Sequence, residues 1–247
     1  MPLSSVIREA VRCFLPTERK PHRIRRGPLR GRLIYTSWHD YPGAIRGDTE
    51  GPLLDWFARQ VLPGETWLDI GAHYGYTAMA LANLVGTSGR VFAFEPVVET
   101  ASCIGRTKEL NQLDPIRVVP LGLSTEQSEQ RIPVYRGMAD KTVNKSTELI
   151  KVSAFDDVWG SLCEGKPEVH GVKIDVQGME REVLAGMTSM LRASRPKLIV
   201  EFHPGVDRTA VLDLISACGY SRTAESVEPG SGELVDDKSY VFRSVLV

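Results

Sequence analysis

The chain has 247 residues, 42% of them hydrophobic and 25% charged, with a formal net charge of -1. That balance excludes wholesale disorder and gives no reason to expect a nucleic-acid partner, and the length suits one α/β domain with N-terminal additions. Cys13, Cys103, Cys163 and Cys218 stand far apart without a CxxC pair, so neither a zinc site nor a disulfide framework is expected and a reducing cytoplasm fits.

Charge is uneven along the chain. Residues 1–32 hold nine Lys or Arg against two Glu, a net of +7, enough to meet an anionic surface. Within it, "SSVIREAVRCFL" puts Val6, Ile7, Ala10, Val11, Phe14 and Leu15 at helical spacing, which predicts an amphipathic helix suited either to peripheral membrane contact or to packing on the domain. Arg8, Glu9 and Arg12 interrupt the apolar stretch, so it is not read as a secretory signal. Next, "GRLIYTSW" reads as a strand, "HDYPGAIRGDTEG" as a loop and "PLLDWFARQVL" as an amphipathic helix with Pro52 in its first turn. The aromatic and polar residues of "YTSWHDYPGAIRGDTE" suit a cap over an acceptor pocket.

A regular alternation begins at "TWLDI", a strand, followed by helix "YTAMALANLVG", strand "RVFAFEP", helix "VVETASCIGRTKELN" and strand "IRVVPLGL". Apolar strands joined by short connections predict a parallel sheet covered on both faces. From Ser124 to Ser153 the chain is polar, and "RIPVYR" and "LIKVSAF" read as short strands of an inserted excursion or hairpin. "VHGVKIDV" restores the pattern, with one helix "MEREVLAGMTSMLRAS", strand "PKLIVEF", helix "VDRTAVLDLISACG" and a closing antiparallel pair around "EPGSGE".

The first strand ends at Asp69 and runs into Gly71, His73 and Gly75; the second ends at Glu95, 26 residues beyond Asp69. Glycine lets a ligand approach the main chain, but no GxGxxG occurs, so nicotinamide and flavin are disfavoured. A carboxylate at the first turn repels a pyrophosphate and favours a cation, while Glu95 can accept from both ribose hydroxyls. A nucleoside with a cationic tail, S-adenosylmethionine, meets both demands.

"WLDIGAHYGYTAMALA", "GRVFAFEP", "VKIDVQGMEREVLAG" and "KLIVEFHP" together resemble the FkbM family of S-adenosylmethionine-dependent methyltransferases, over roughly residues 47 to 203. The resemblance implies a doubly wound, mostly parallel seven-stranded sheet of the class I methyltransferase type, here with an N-terminal helical or loop extension. It also implies O-methylation of a sugar, glycan, glycolipid or polyketide-like hydroxyl. Residues 1–46 become the basic extension and acceptor cap, and residues 47–247 the methyltransferase domain. Carried over by position, Asp69, Gly71, His73 and Gly75 meet the donor, Glu95 its ribose, and Glu50 of "GDTE" closes over it. His73 stands where the family commonly has Asn, and Gln177 where it commonly has Glu.

An alcohol needs a base to take its proton during methyl transfer. His203 titrates near working pH and leads the candidates, with Asp175 and Glu201 at neighbouring strand ends. These three could also ligate a divalent cation, but base chemistry is preferred and no metal is assigned. Glu180 and Glu182 are read as structural. Two other readings stay open: an RNA methyltransferase gripping phosphates with its basic arm, and an inactive cofactor-binding module.

Overall fold

The computed structural model describes residues 14–163, 167–230 and 233–245. The expected amphipathic helix therefore lies, apart from Phe14 and Leu15, outside the described residues. Among them, no helix is long and apolar enough to cross a membrane.

The described part of the basic stretch is neither helix nor loop alone. Lys20–Arg23 (β1) pairs antiparallel with Leu33–Thr36 (β2), and Ile24, Leu29 and Ile34 of this hairpin are buried in a core cluster. The β2 backbone is tied to the helix Val98–Asn111, because Leu33 N donates to Asn111 Oδ1 at 2.9 Å and Tyr35 N to Thr107 Oγ1 at 3.0 Å. The stretch expected as a loop contains a short helix, Pro42–Arg46 (α1), started by proline in its first turn and ended by Gly47 at φ +76°. Gly51–Gln60 (α2) follows as expected.

Then Thr66–Ile70 (β3), Tyr76–Val85 (α3), Arg90–Phe94 (β4), Val98–Asn111 (α4) and Ile116–Val119 (β5) complete the expected alternation. All five residues of β3 are buried, as a strand covered on both faces requires. The single strand expected over "IRVVPLGL" is two: its end, Gly122–Leu123 (β6), joins the strands of the polar excursion, Ser128–Tyr135 (β7), Met138–Ala139 (β8) and Thr147–Ser153 (β9), in a second sheet of order β6-β9-β7-β8.

Past Phe155–Leu162 (α5), Gly171–Ile174 (β10) returns to the main sheet. The single helix expected next is two, Glu180–Ala185 (α6) and Thr188–Ser194 (α7). The break falls at Gly186, where a Cβ would stand 1.8 Å from the Ser124 carbonyl oxygen, so the backbone is pressed against its neighbour there. Lys197–Phe202 (β11), Arg208–Ala217 (α8), Tyr220–Ser226 (β12) and Lys238–Ser244 (β13) finish the chain. Asp207 caps α8 by accepting from Ala210 N.

The main sheet has seven strands in the order β12-β13-β11-β10-β3-β4-β5. Its five central and edge strands from β11 to β5 are parallel, and β13 runs antiparallel between β11 and β12. The order reverses between β3 and β10, so their carboxyl ends open the crevice in which such sheets bind ligands. Beneath it, β10 packs closely on β3: a Cβ at Gly171 would stand 2.3 Å from the Trp67 ring. Gly171→Ala is expected to lower stability by about 1–3 kcal/mol through overpacking, read as a fall in thermal midpoint.

Candidate active site

The strand ends enclose a cavity of about 360 Å³. Glu50, Gly71, His73, Glu95, Asp175 and Glu201 line it; Asp69, Gly75 and His203 do not. Gly71 turns the chain at φ +80°, and a Cβ there would fall 1.8 Å from the Asp175 carbonyl oxygen, so glycine is what lets the first loop pass beside β10. Residues of the N-terminal segment, Asp40, Tyr41, Pro42, Gly43 and Arg46, close another side.

Glu95 is 3% exposed. Its Oε2 accepts from His73 N and its Oε1 from Val97 N, each at 2.9 Å. Burial outweighs these bonds and pushes its carboxyl up to about 8. His73 Nε2 lies 2.9 Å from the Arg136 carbonyl oxygen, which can only accept, so the ring carries its proton on Nε2. Burial holds this histidine down to about 3, so it stays neutral.

Lys173 is the charge at the centre. It sits on β10 opposite Asp69 of β3, its Nζ 3.4 Å from Asp69 Oδ1 and 3.1 Å from Asp175 Oδ2. Burial opposes its charge, yet Asp175 and Asp69 keep its pKa above the ordinary lysine value. Asp69 is fully buried and also accepts from Thr77 Oγ1 at 2.7 Å, so its carboxylate is spent on holding β3, β10 and α3 together. Asp175 remains ionised: burial raises its pKa, but Lys173 and His203 more than offset that.

His203 is 1% exposed and stands behind the cavity wall. Its Nδ1 is 2.6 Å from Glu180 Oε1, and its Nε2 is 3.4 Å from Asp175 Oδ1 and 3.7 Å from Glu201 Oε1. Burial acts against the charged ring, but Glu180, Asp175 and Glu201 raise it to about 9. Gln177 Nε2 also lies 2.6 Å from His203 Nε2, a contact that a charged ring converts by turning the amide oxygen toward its N–H. Glu201 accepts from Ser239 Oγ at 3.0 Å; burial, then Asp175 and Glu50, push its carboxyl up to about 8.

Backbone strain gathers here. Eight non-glycine residues among those described have positive φ, and four of them, Glu50, His73, Arg136 and Gln177, line this cavity. Strained conformations persist where surrounding structure enforces them, commonly at functional sites. The Tyr76 hydroxyl, also on the lining, is buried without a hydrogen-bond partner.

Sequence reasoning missed Lys173, Tyr76 and Arg136 as site residues. A lysine inside the otherwise apolar run "VHGVKIDV" was a signal for the first, since a buried charge demands partners. Nothing in the polar stretch around Arg136 marked it.

The crevice at the reversal point, the glycine turn and the buried glutamate of the second strand define a class I methyltransferase fold. The Methyltransferase FkbM domain matches residues 69–222, and the chain belongs to that family. A hexuronic acid methyltransferase, AglP of Haloferax volcanii, is 35% identical over 153 residues, which cover 60% of this chain and 60% of that protein. Among solved structures, the FkbM methyltransferase of Methylobacillus flagellatus superposes with a TM-score of 0.51 at 18% identity, over 76% of this chain and 50% of that one. Aeropyrum pernix fibrillarin, solved with natively bound S-adenosylmethionine, gives 0.50 at 14% identity, over 92% and 99% of the two chains.

The residues present fit that donor. Glu50, Asp175 and Glu201 crowd one cavity around a single lysine, and the burial and crowding that raise Glu50 and Glu201 are eased by a sulfonium and an ammonium. Glu95, Gly71 and Tyr76 would hold the nucleoside. Glu95→Ala is expected to weaken S-adenosylhomocysteine binding roughly 10- to 100-fold, the loss of one or two buried hydrogen bonds, measured by titration calorimetry.

Proposed function

We propose that this chain methylates a hydroxyl of a sugar or glycan-like acceptor, with S-adenosylmethionine as donor. The observation that carries the reading is the acidic cavity at the sheet's reversal point, whose crowded carboxylates suit a cationic donor. The hexuronic acid methyltransferase relative supports a sugar acceptor. The net charge of +7 over residues 1–32 supports a glycolipid form of it near an anionic surface.

When bound, S-adenosylmethionine supplies an electrophilic methyl group on a cationic sulfur. The chain's part is to position the hydroxyl, exclude water and take a proton. Glu201 is the base in this reading: it lines the cavity, and its raised carboxyl lies near working pH. Asp175 lines the same wall but is a weaker base, because Lys173 holds it ionised. His203, charged and clamped by Glu180, positions Asp175 and Glu201 rather than accepting the proton itself. Tyr41 and Pro42 of the N-terminal segment cover the reacting groups.

The test is incubation with S-adenosylmethionine labelled in its methyl carbon and a panel of glycosides, free nucleosides and structured RNA. Label in a sugar O-methyl group supports the reading; label in RNA alone overturns it.

A further inference from the structure

We infer that Arg136 recognises one carboxylate on the acceptor, so that the acceptor is an acidic sugar of the uronate type. This rests on the hydroxyl-methylation reading and names its substrate class.

Arg136 and Gly137 form the two-residue turn between Tyr135 and Met138, which pair across the β7–β8 hairpin. Their φ angles are +50° and +77°, the left-handed pair of a mirror-image turn in which Asn-Gly is favoured. Arginine is a poor choice for that backbone. The turn is also fastened to the donor loop and to α4: the Arg136 carbonyl meets His73 Nε2 at 2.9 Å, and the Gly137 carbonyl accepts from Thr100 Oγ1 at 2.7 Å. A side chain held on so fixed and strained a base is placed relative to the reacting groups.

Its own donors lack partners. Arg136 lines the cavity, and its Nε and Nη1 are buried without a hydrogen bond. The other cations of the lining are committed: Arg46 to Asp48 at 2.9 Å and Lys173 to Asp175 and Asp69. No carboxylate among the described residues pairs with Arg136, whose guanidinium carbon sits 5.0 Å from the Tyr135 ring. Buried donors left unpaired are costly, and a guanidinium's planar donors match a carboxylate. A single charge is the right size of anion, because Asp175 on the same wall stays ionised and repels a more highly charged group.

The test is Arg136→Asn, which creates the preferred turn residue and removes the cation. Its thermal midpoint should equal or exceed that of the natural protein, and its affinity for S-adenosylhomocysteine should be unchanged. Calorimetry with that product bound should show methyl β-glucuronide binding weakened roughly 10- to 100-fold, the loss of a charge-assisted pair, with methyl β-glucoside unaffected. Equal effects on both glycosides, loss of S-adenosylhomocysteine binding, or no glucuronide binding by the natural protein would each overturn the inference. Loss of the product in particular would mean that Arg136 holds the donor's own carboxylate. If glucuronide binds through Arg136 but no hydroxyl is methylated, the proposed activity fails, and of the inference only carboxylate recognition by Arg136 stands. If sugars are methylated and the variant treats acid and neutral acceptors alike, the activity stands and the inference fails.

Discussion

Lys173→Met is expected to lower stability by about 3–5 kcal/mol, the usual cost of removing one partner from a buried ion pair. The lysine is 2% exposed and its partner Asp69 is fully buried. Methionine fills much the same space, so the loss arises from charge: Asp69 keeps only the Thr77 hydroxyl, while Asp175 keeps His203. At roughly 2–4 °C per kcal/mol for a chain of this size, the thermal midpoint falls by about 6–20 °C. Adding Asp69→Asn removes the stranded charge and should restore part of that loss, a coupling a double-mutant cycle reads directly. A variant as stable as the natural protein would show that the ion pair does not hold β3 to β10.

Glu201→Gln is expected to lower kcat by roughly 10²- to 10⁴-fold, the usual contribution of a positioned base, while S-adenosylhomocysteine still binds. The sign with pH follows from the raised carboxyl. A base works when it has lost its proton, so with its carboxyl near 8 only roughly a tenth of Glu201 is ready at pH 7, and activity climbs as pH rises through that value. A bound cation among these carboxylates favours the ionised form and moves the climb in kcat to lower pH than the climb in kcat/KM. The glutamine variant should show a flat kcat over the same range. If it keeps both the rate and the climb, while Asp175→Asn loses them, Asp175 is the base.

Periodicity and turn chemistry carried most of the architecture. Runs such as "TWLDI" and "RVFAF" are apolar because both faces of β3 and β4 are covered, and that property is local enough to read in sequence. The break at Gly186 was not, because it depends on the Ser124 backbone, 62 residues away. Nor was the pairing of β1 with β2, since charged residues in β1 disguise a strand whose partner is a neighbour rather than the core. At the site, Glu95 and Asp175 were legible from their positions at strand ends. Asp69 and Lys173 face each other only through the register of two strands far apart in the chain, so that Asp69 already has its cation is invisible before folding. His203 looked free to titrate because nothing adjacent in the chain reveals Glu180 at 2.6 Å.

Methyl transfer by this chain requires that the cavity at the end of β3, β4 and β10 hold S-adenosylmethionine. Titration calorimetry of the full chain with S-adenosylhomocysteine, run beside NAD, tests it most directly. One equivalent of S-adenosylhomocysteine should bind and NAD should not; NAD binding, or no binding of either, would mean that the cavity is not a methyl-donor site.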